Sequence, residues 1–312
     1  MFKPRNLIVC LLIVSACLWF SCTKKEEATE VPTMVKETIK TVYVVNYPLK
    51  YFAERIASGK VKIVFPTPVD KDPAYWLPDS KTIHAYQNAD LILLNGATYA
   101  KWAGKVTLPE SKLIDTSKAF NDKYLQLKHA VTHSHGPGGI HAHTGTDFNT
   151  WVDPNLAIIQ ARAIKNALSK LVPSETTLFD TNLKALVNDL QNLDKTFKSV
   201  VSGNENIPVV ASHPVYGYFA KAYNLNLKAM LWEPEEMPSD DEWKNLDKIL
   251  KDHPAKWMIW EGNPSEENVA KLKEHGLNGV VFIPCGNVPD DGDYIKVMQK
   301  NAENLKAIYK GN

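Results

Sequence analysis

Short apolar runs alternate with longer segments of helical spacing in the first part of the chain. The runs TVYVV (41–45), VKIVF (61–65), ADLILLNGA (89–97) and KLIDTS (112–117) predict strands, with an amphipathic helix between the first two. ADLILLNGA is apolar at nearly every position, which is typical of a strand buried on both faces. Strands that alternate with helices in this way indicate a parallel α/β sheet.

A second set of the same kind begins after residue 207. Strands are predicted for PVVAS, LKAMLW, KWMIWE and NGVVFI, and helices for the segments between them and for the closing YIKVMQKNAENLKAIY. Between the two sets, residues 155–172 have helical spacing, and the apolar stripe from Ser174 to Val201 contains no Gly or Pro. A single helix of about 28 residues would be roughly 40 Å long. The predicted fold class is therefore α/β, with two parallel-sheet lobes joined by one long backbone helix.

The expected domain boundaries follow from these patterns. Residues 39–153 form the N-terminal α/β lobe, 154–202 the linking helices and 203–312 the C-terminal α/β lobe. Residues 1–22 are predicted as a secretory signal, because two positive charges precede an apolar run that is too short to span a bilayer comfortably. Residues 23–38 are predicted as a polar tether. We therefore expect an exported protein of the periplasm or cell envelope.

Two cysteines near the end of the signal are candidates for lipid attachment. Cys17 follows small residues, as a lipoprotein signal peptidase prefers, whereas Cys22 directly precedes the polar tether. We favour Cys22 and keep Cys17 as the alternative, and acylation of either would anchor the chain to the membrane. Cys285 is then the single cysteine of the mature chain, and it is predicted as a small buried hydrophobe rather than a ligand.

Composition and motifs argue against several classes of function. Hydrophobic residues make up 44% and charged residues 23% of the 312 positions, and 36 basic residues balance 35 acidic ones. Because no basic stripe is present, nucleic acid is not an expected partner. The chain lacks a Gly-x-Ser-x-Gly elbow, a phosphate-binding glycine loop, a His-Glu-x-x-His helix and a dinucleotide glycine pattern, so no enzyme is predicted.

Histidines are concentrated in one polar segment, residues 129–145. Five of the nine histidines lie in HAVTHSHGPGGIHAH, where His133 with His135 and His141 with His143 form two pairs around Gly-Pro-Gly-Gly. Such a composition predicts affinity for a transition metal, and a solvated polar loop is the alternative interpretation.

Several segments in their order resemble the substrate-binding lipoproteins of zinc and manganese ABC importers. They are NYPLKYFAERIASGKVKI, ADLILLNGATYAKW, WVDPNLAIIQARAIKNAL, SHPVYGYFAKAYNL and WEPEEMPS. The resemblance implies two α/β lobes linked by a rigid helix with a metal ion held between them. It also implies a lipid-anchored monomer outside the cytoplasmic membrane, with an ABC permease and its ATPase as partners.

The resemblance also implies four ligand positions, and this sequence departs from the family at three of them. Ala74 in DPAYWLP and Asn149 in DFNTWVDP stand where the family has histidines, and Ile283 in FIPCG stands where it has a carboxylate. His213 in SHPVYGYF is retained. It follows a predicted strand, where open α/β sheets bind ligands, and a capping or core histidine is the alternative interpretation.

Relocated ligands are expected from the histidine-rich loop. His141 and His143 lie six to eight residues before Asn149, so the loop is close enough in sequence to fold back into the cleft. The predicted metal ligands are His213, His141, His143, His133 and His135. Asp147, Glu233 and Glu261 are nearby carboxylates. Nitrogen-rich ligands favour Zn²⁺ over Mn²⁺.

Two functions follow from these observations. The first is an extracytoplasmic metal-binding protein that delivers zinc to an ABC importer. The second is a degenerate member of the same family, which binds a different solute or acts as an envelope interaction or adhesion module. Ala74, Asn149 and Ile283 favour the second.

Residues outside this set have structural interpretations. His84, His253 and His275 are predicted to be surface or capping residues, and Asp153 is predicted to cap the helix that follows it.

Overall fold

The computed structural model describes the backbone of residues 38–134 and 140–310, and the side chains of residues 38–127 and 145–310. The predicted signal (1–22), Cys17, Cys22 and His135 lie outside the described residues, as does the tether except for Thr38.

The first sheet contains four parallel strands in the order β2-β1-β3-β4. The strands are β1 (Thr41–Val44), β2 (Lys62–Val64), β3 (Leu91–Leu94) and β4 (Leu113–Asp115). Helices α1 (Tyr47–Ala57) and α2 (Ser80–Asn88) connect them. The four predicted strands are confirmed, and the buried Leu91, Ile92 and Leu93 explain why this run is apolar at consecutive positions.

A two-stranded antiparallel hairpin follows the first sheet, where the sequence predicts a loop. Its strands are β5 (Gln126–Ser134) and β6 (Ile140–Thr146), and His133 lies opposite His141 in the register. The prediction of a loop is therefore wrong for these flanking segments. Each strand contains β-branched residues, valine and threonine in β5 and isoleucine and threonine in β6, and such residues favour extended backbone even in a polar context.

Two helices lead from the first sheet to the second. Asp153 caps α3 (Pro154–Leu171) by accepting a hydrogen bond from the Asn155 N–H at 2.8 Å, as predicted. The next helix, α4 (Thr176–Val201), has 26 residues, which corresponds to about 39 Å. Its buried stripe includes Leu186, Leu190 and Phe197, and it packs against α1, α3 and the last helix of the chain.

The second sheet repeats the parallel arrangement, with the strand order β10-β9-β7-β8. The strands are β7 (Val209–Ala211), β8 (Leu227–Ala229), β9 (Trp257–Trp260) and β10 (Asn278–Val281). The helices are α5 (Gly217–Ala222), α6 (Asp240–Asp252), α7 (Glu266–Glu274) and α8 (Tyr294–Tyr309). Two parallel sheets with a long helix between them confirm the predicted fold class.

Three histidines have the structural positions expected from the sequence. His253 and His275 are the C-terminal caps of α6 and α7, and His84 is exposed on α2. His253 is nevertheless buried, with its ring Nε2 at 2.9 Å from the Val209 carbonyl oxygen. Within residues 38–134 and 140–310, no helix combines the length and apolar character needed to cross a membrane.

Candidate metal centre

Three potential metal ligands follow the ends of three neighbouring strands in the second sheet. His213 lies shortly after β7, Glu233 follows β8 and Glu261 comes directly after β9. In a parallel sheet, the carboxyl ends of the strands meet at one edge. The strand order β9-β7-β8 therefore brings His213 between the two carboxylates.

The side chains converge at this edge. His213 Nε2 lies 3.6 Å from Glu233 Oε1, and His213 Nδ1 lies 3.6 Å from Glu261 Oε1. One ligand atom from each residue falls within 4.8 Å of the other two. The imidazole is buried and the two carboxylates are mostly shielded from solvent, so the three groups form a pocket of nitrogen and oxygen donors. We call these residues the 213–233–261 cluster.

The electrostatics of the cluster favour a bound cation. Burial raises the pKa of Glu261 well above its usual range, and the negative charges of Glu233, Asp72 and Glu235 raise it further. Burial also raises the pKa of Tyr216, with a smaller contribution from Glu261. Converging carboxylates in a poorly hydrated site repel each other, and a divalent cation would remove that repulsion.

The cluster opens into a cleft of about 920 Å³ whose walls come from both halves of the chain. The part of the chain before α3 contributes Asp72, Tyr75, Tyr99, Phe148 and Trp151 to the cleft lining. Tyr99 packs edge-on against Phe148 and Trp151, with ring centroids 5.1 and 5.6 Å apart. These edge-on contacts form an aromatic wall on the first-sheet side of the cleft.

The three positions that depart from the family pattern carry no charged ligand. Ala74 is fully buried, and Ile283 lines the cleft with 38% of its surface exposed. Asn149 also lines the cleft, but its backbone N–H and its side-chain Nδ2 both donate to Asp147 Oδ1, at 2.9 and 3.2 Å. These positions shape the cleft, and the acidic donors come from elsewhere.

Cys285 is also part of the cleft wall. Its side chain is buried, and burial, with a smaller contribution from Asp293, raises the pKa of the thiol to about 12. A thiol must lose its proton to bind a metal ion, and this environment disfavours the thiolate. The prediction that Cys285 is a buried hydrophobe is therefore confirmed.

The four loop histidines stay a prediction as ligands. The backbone places His133 opposite His141 and His143 opposite Val131 in the hairpin, whereas His135 lies outside the described residues. The side chains of His133, His141 and His143 lie outside the described residues as well. His213 is thus the predicted ligand that the structure brings into a donor cluster.

The sequence indicates Glu233 and Glu261 only as nearby carboxylates. A local signal for them exists, because Glu233 directly follows the predicted strand LKAMLW and Glu261 is the last residue of the predicted strand KWMIWE. What the sequence does not give is the order of these strands in the sheet, which brings the two residues to either side of His213.

Comparison with known proteins adds to this geometry. The profile of the family described as periplasmic component A of the zinc-uptake complex (ZnuA) matches residues 42–308. The zinc-binding lipoprotein AdcA of Streptococcus pneumoniae strain R6 is 26% identical over 312 residues, which covers 96% of this chain and 60% of that protein. This chain therefore spans about 60% of the length of that relative.

A second relative matches along its whole length. The metal ABC transporter substrate-binding lipoprotein of Lactococcus lactis is 27% identical over 320 residues, which covers 99% of this chain and 98% of that protein. Among solved structures, the Zn(II)-bound ZnuA-like domain of S. pneumoniae AdcA has a TM-score of 0.74 at 23% identity, covering 87% of this chain and 99% of that one. At this level of identity the structural match establishes the shared fold.

Proposed function

This chain belongs to the ZnuA family of periplasmic zinc-uptake components, and we propose that it captures Zn²⁺ outside the cytoplasmic membrane for an ABC importer. The family consists of substrate-binding proteins for metal transport rather than enzymes. Zinc is here the transported substrate.

The 213–233–261 cluster is the observation that carries this proposal. It offers one imidazole and two carboxylates with their donor atoms within 4.8 Å of one another, which suits a divalent transition metal. Zn²⁺ accepts mixed nitrogen and oxygen ligands in a tetrahedral array, whereas Mn²⁺ prefers more oxygen ligands. Both ions are compatible with the cluster alone, and additional histidines would favour zinc.

The hairpin histidines are our candidates for the remaining coordination. Strand β6 ends at Thr146, and Asp147 connects it to Phe148 and Asn149 in the cleft wall, so the hairpin starts beside the cleft. His141, His143, His133 and His135 would add imidazole nitrogen to the oxygen-rich cluster, either as ligands of the bound ion or as collectors of zinc. Either role makes the hairpin part of metal capture.

Delivery to a membrane complex completes the proposal. The two relatives described above are named as lipoproteins, and one of them as a component of a metal ABC transporter. We propose that this chain is likewise a lipoprotein, anchored through Cys22 or Cys17, that it acts as a monomer, and that it passes zinc to an ABC permease powered by an ATPase.

Calorimetric zinc titration of the full chain tests the proposed site. The wild type is expected to bind one ion, and E233Q and E261Q are each expected to bind at least tenfold more weakly because one charged ligand is lost. Glu236 is an exposed carboxylate of the same segment that belongs neither to the cluster nor to the cleft lining, so E236Q is the matched control and should bind like the wild type. Absence of zinc binding by the wild type, or equal losses in E236Q and E261Q, would contradict the proposal.

A further inference from the structure

One partly exposed side chain joins two distant segments that line the cleft. The Asn287 Nδ2 group donates hydrogen bonds to the carbonyl oxygens of Pro68 and Lys71, both at 2.8 Å, with the Val69 carbonyl oxygen at 3.3 Å. Its Oδ1 accepts from the Val288 N–H at 2.7 Å. Every polar atom of this amide is therefore engaged, and we call the three contacts of Nδ2 the Asn287 bridge.

The Asn287 bridge connects the two halves of the molecule. Residues 68–71 belong to the connection that follows β2 in the first sheet, and Asn287 belongs to the connection that follows β10 in the second. Lys71 and Asn287 both line the cleft. Movement of one half away from the other at this edge therefore requires these hydrogen bonds to break.

Neighbouring hydrogen bonds hold the connection after β10 through buried partners, and so more firmly than the Asn287 bridge does. The Gly286 carbonyl oxygen accepts from the Tyr47 N–H at 3.0 Å, and the Pro284 carbonyl oxygen accepts from Trp151 Nε1 at 2.8 Å. Tyr47 and Trp151 are buried, whereas Asn287 is partly exposed. The bridge is thus the solvent-accessible end of this contact, where water can replace a broken hydrogen bond at low cost.

The backbone next to Asn287 is held in an unusual conformation. Cys285 has a φ of 63°, in the left-handed region that residues with a β-carbon rarely adopt. A bend follows at Gly286 and Asn287, so this backbone leads directly into the residue that contacts residues 68–71. Strained backbone of this kind persists where surrounding contacts maintain it, and it is concentrated at functional sites.

The other side of the bridge leads to the metal centre. Lys71 directly precedes Asp72, which lines the cleft and lies close enough to Glu261 to raise its pKa. Asp72 Oδ1 accepts from the Ala74 N–H at 2.8 Å, so the carboxylate is fixed relative to its own backbone. A shift of residues 68–71 would therefore move the Asp72 carboxylate relative to the 213–233–261 cluster.

We propose that Asn287 is a positioning residue that controls exchange of the metal ion, because it holds residues 68–72 over the cleft. This inference rests on the proposed function of the cleft. Zinc enters and leaves when the Asn287 bridge opens, and the bridge slows release when it is closed. The coordination itself does not depend on Asn287, whose side-chain hydrogen bonds go to Pro68, Val69, Lys71 and Val288.

Hydrogen exchange of the metal-free full chain tests whether Asn287 holds residues 68–72 in place. In N287A, the amides of Lys71, Tyr75 and Trp76 should exchange faster than in the wild type, although the substitution lies more than 200 residues away in sequence. N287D should have a larger effect, since a carboxylate would face three carbonyl oxygens. Asn226 Nδ2 donates to the Asn206 carbonyl oxygen at 3.1 Å at a surface site elsewhere, so N226A is the control for loss of a side-chain amide.

Stopped-flow release of zinc into a chelator tests whether the Asn287 bridge slows zinc release. N287A should release zinc roughly tenfold faster than the wild type, as expected for the loss of one or two neutral hydrogen bonds, with unchanged stoichiometry and N226A unaffected. Unchanged hydrogen exchange, or an unchanged release rate despite faster exchange, would overturn the inference. A wild type that binds no zinc would overturn the proposed function and the release claim together, whereas hydrogen exchange would still show whether the bridge holds residues 68–72.

Discussion

The carboxylate of Asp147 occupies the space that a side chain at Gly217 would need. Asp147 Oδ2 lies 2.3 Å from the position of a β-carbon built on Gly217, and Leu125 Cδ1 lies 3.3 Å from it. Tyr218 reinforces this contact, because its hydroxyl donates to the Asp147 carbonyl oxygen at 3.0 Å and accepts from the Leu125 N–H at 3.2 Å. The base of the hairpin is therefore packed against the start of α5, close to His213.

Alanine at position 217 should destabilise the protein by about 1–3 kcal/mol, because the new methyl group would displace a buried carboxylate. Urea denaturation monitored by circular dichroism measures the effect. Gly104 is the control, since among the described residues no atom outside its neighbours lies within 4 Å of its β-carbon position. If G104A and G217A cost the same free energy of unfolding, the packing at Asp147 does not matter for stability.

Asp147 should also make stability depend on pH. Burial raises its pKa to about 6, although hydrogen bonds from Asn149 oppose the shift, and Oδ2 has no hydrogen-bond partner among the described residues. The folded chain then holds a proton that the unfolded chain has lost, so the free energy of unfolding falls as pH rises from about 4 to about 6. Relative to D147N, the wild type should lose up to about 3 kcal/mol over this interval.

Urea titrations of both proteins at pH 4, 5, 6 and 7 measure this difference. The comparison with D147N cancels the contributions of other titrating groups. Parallel stability profiles for the two proteins would show that Asp147 is not the titrating group.

Zinc binding should release protons. His213 must be neutral to bind a metal ion, and Glu261, whose pKa is raised well above its usual range, must lose its proton. Affinity should therefore weaken as pH falls. Calorimetry at pH 6.5 in buffers of different ionisation enthalpy measures the protons released per ion. E236Q should release as many as the wild type, and a binding enthalpy independent of the buffer would contradict this expectation.

Replacement of His141 and His143 by alanine should weaken zinc binding if the hairpin completes the coordination. The expected loss is at least tenfold in affinity, because two nitrogen donors are removed. H84A removes an exposed histidine on α2 and serves as the control. Equal affinity of the double variant and the wild type would restrict the hairpin to collecting zinc and leave the cluster as the binding site.

Much of the fold is predictable from this sequence because its strands are parallel and buried. Runs such as the one around Ile92 and the one ending at Trp260 are apolar on both faces, which distinguishes them from the amphipathic helices between them. His213 could be found for a related reason, since it follows such a run. The hairpin could not be predicted in this way, because its polar, histidine-rich strands do not alternate between apolar and polar residues.

The donor cluster was harder to predict. Acidic residues are common after strands, so Glu233 and Glu261 gain meaning only when β8 and β9 are known to flank β7. Strand order is set by packing of the whole sheet and is not encoded in any local segment. The family resemblance pointed instead to Ala74, Asn149 and Ile283, where this chain has no charged ligand.

Anomalous diffraction at the zinc absorption edge, from crystals of the zinc-loaded protein, tests the central claim most directly. A peak within coordination distance of His213, Glu233 and Glu261 is the predicted result, with the loss of this peak in crystals of E261Q grown and loaded in the same way. A peak confined to the hairpin histidines, with none at the 213–233–261 cluster, would contradict the claim that this cluster holds the transported ion.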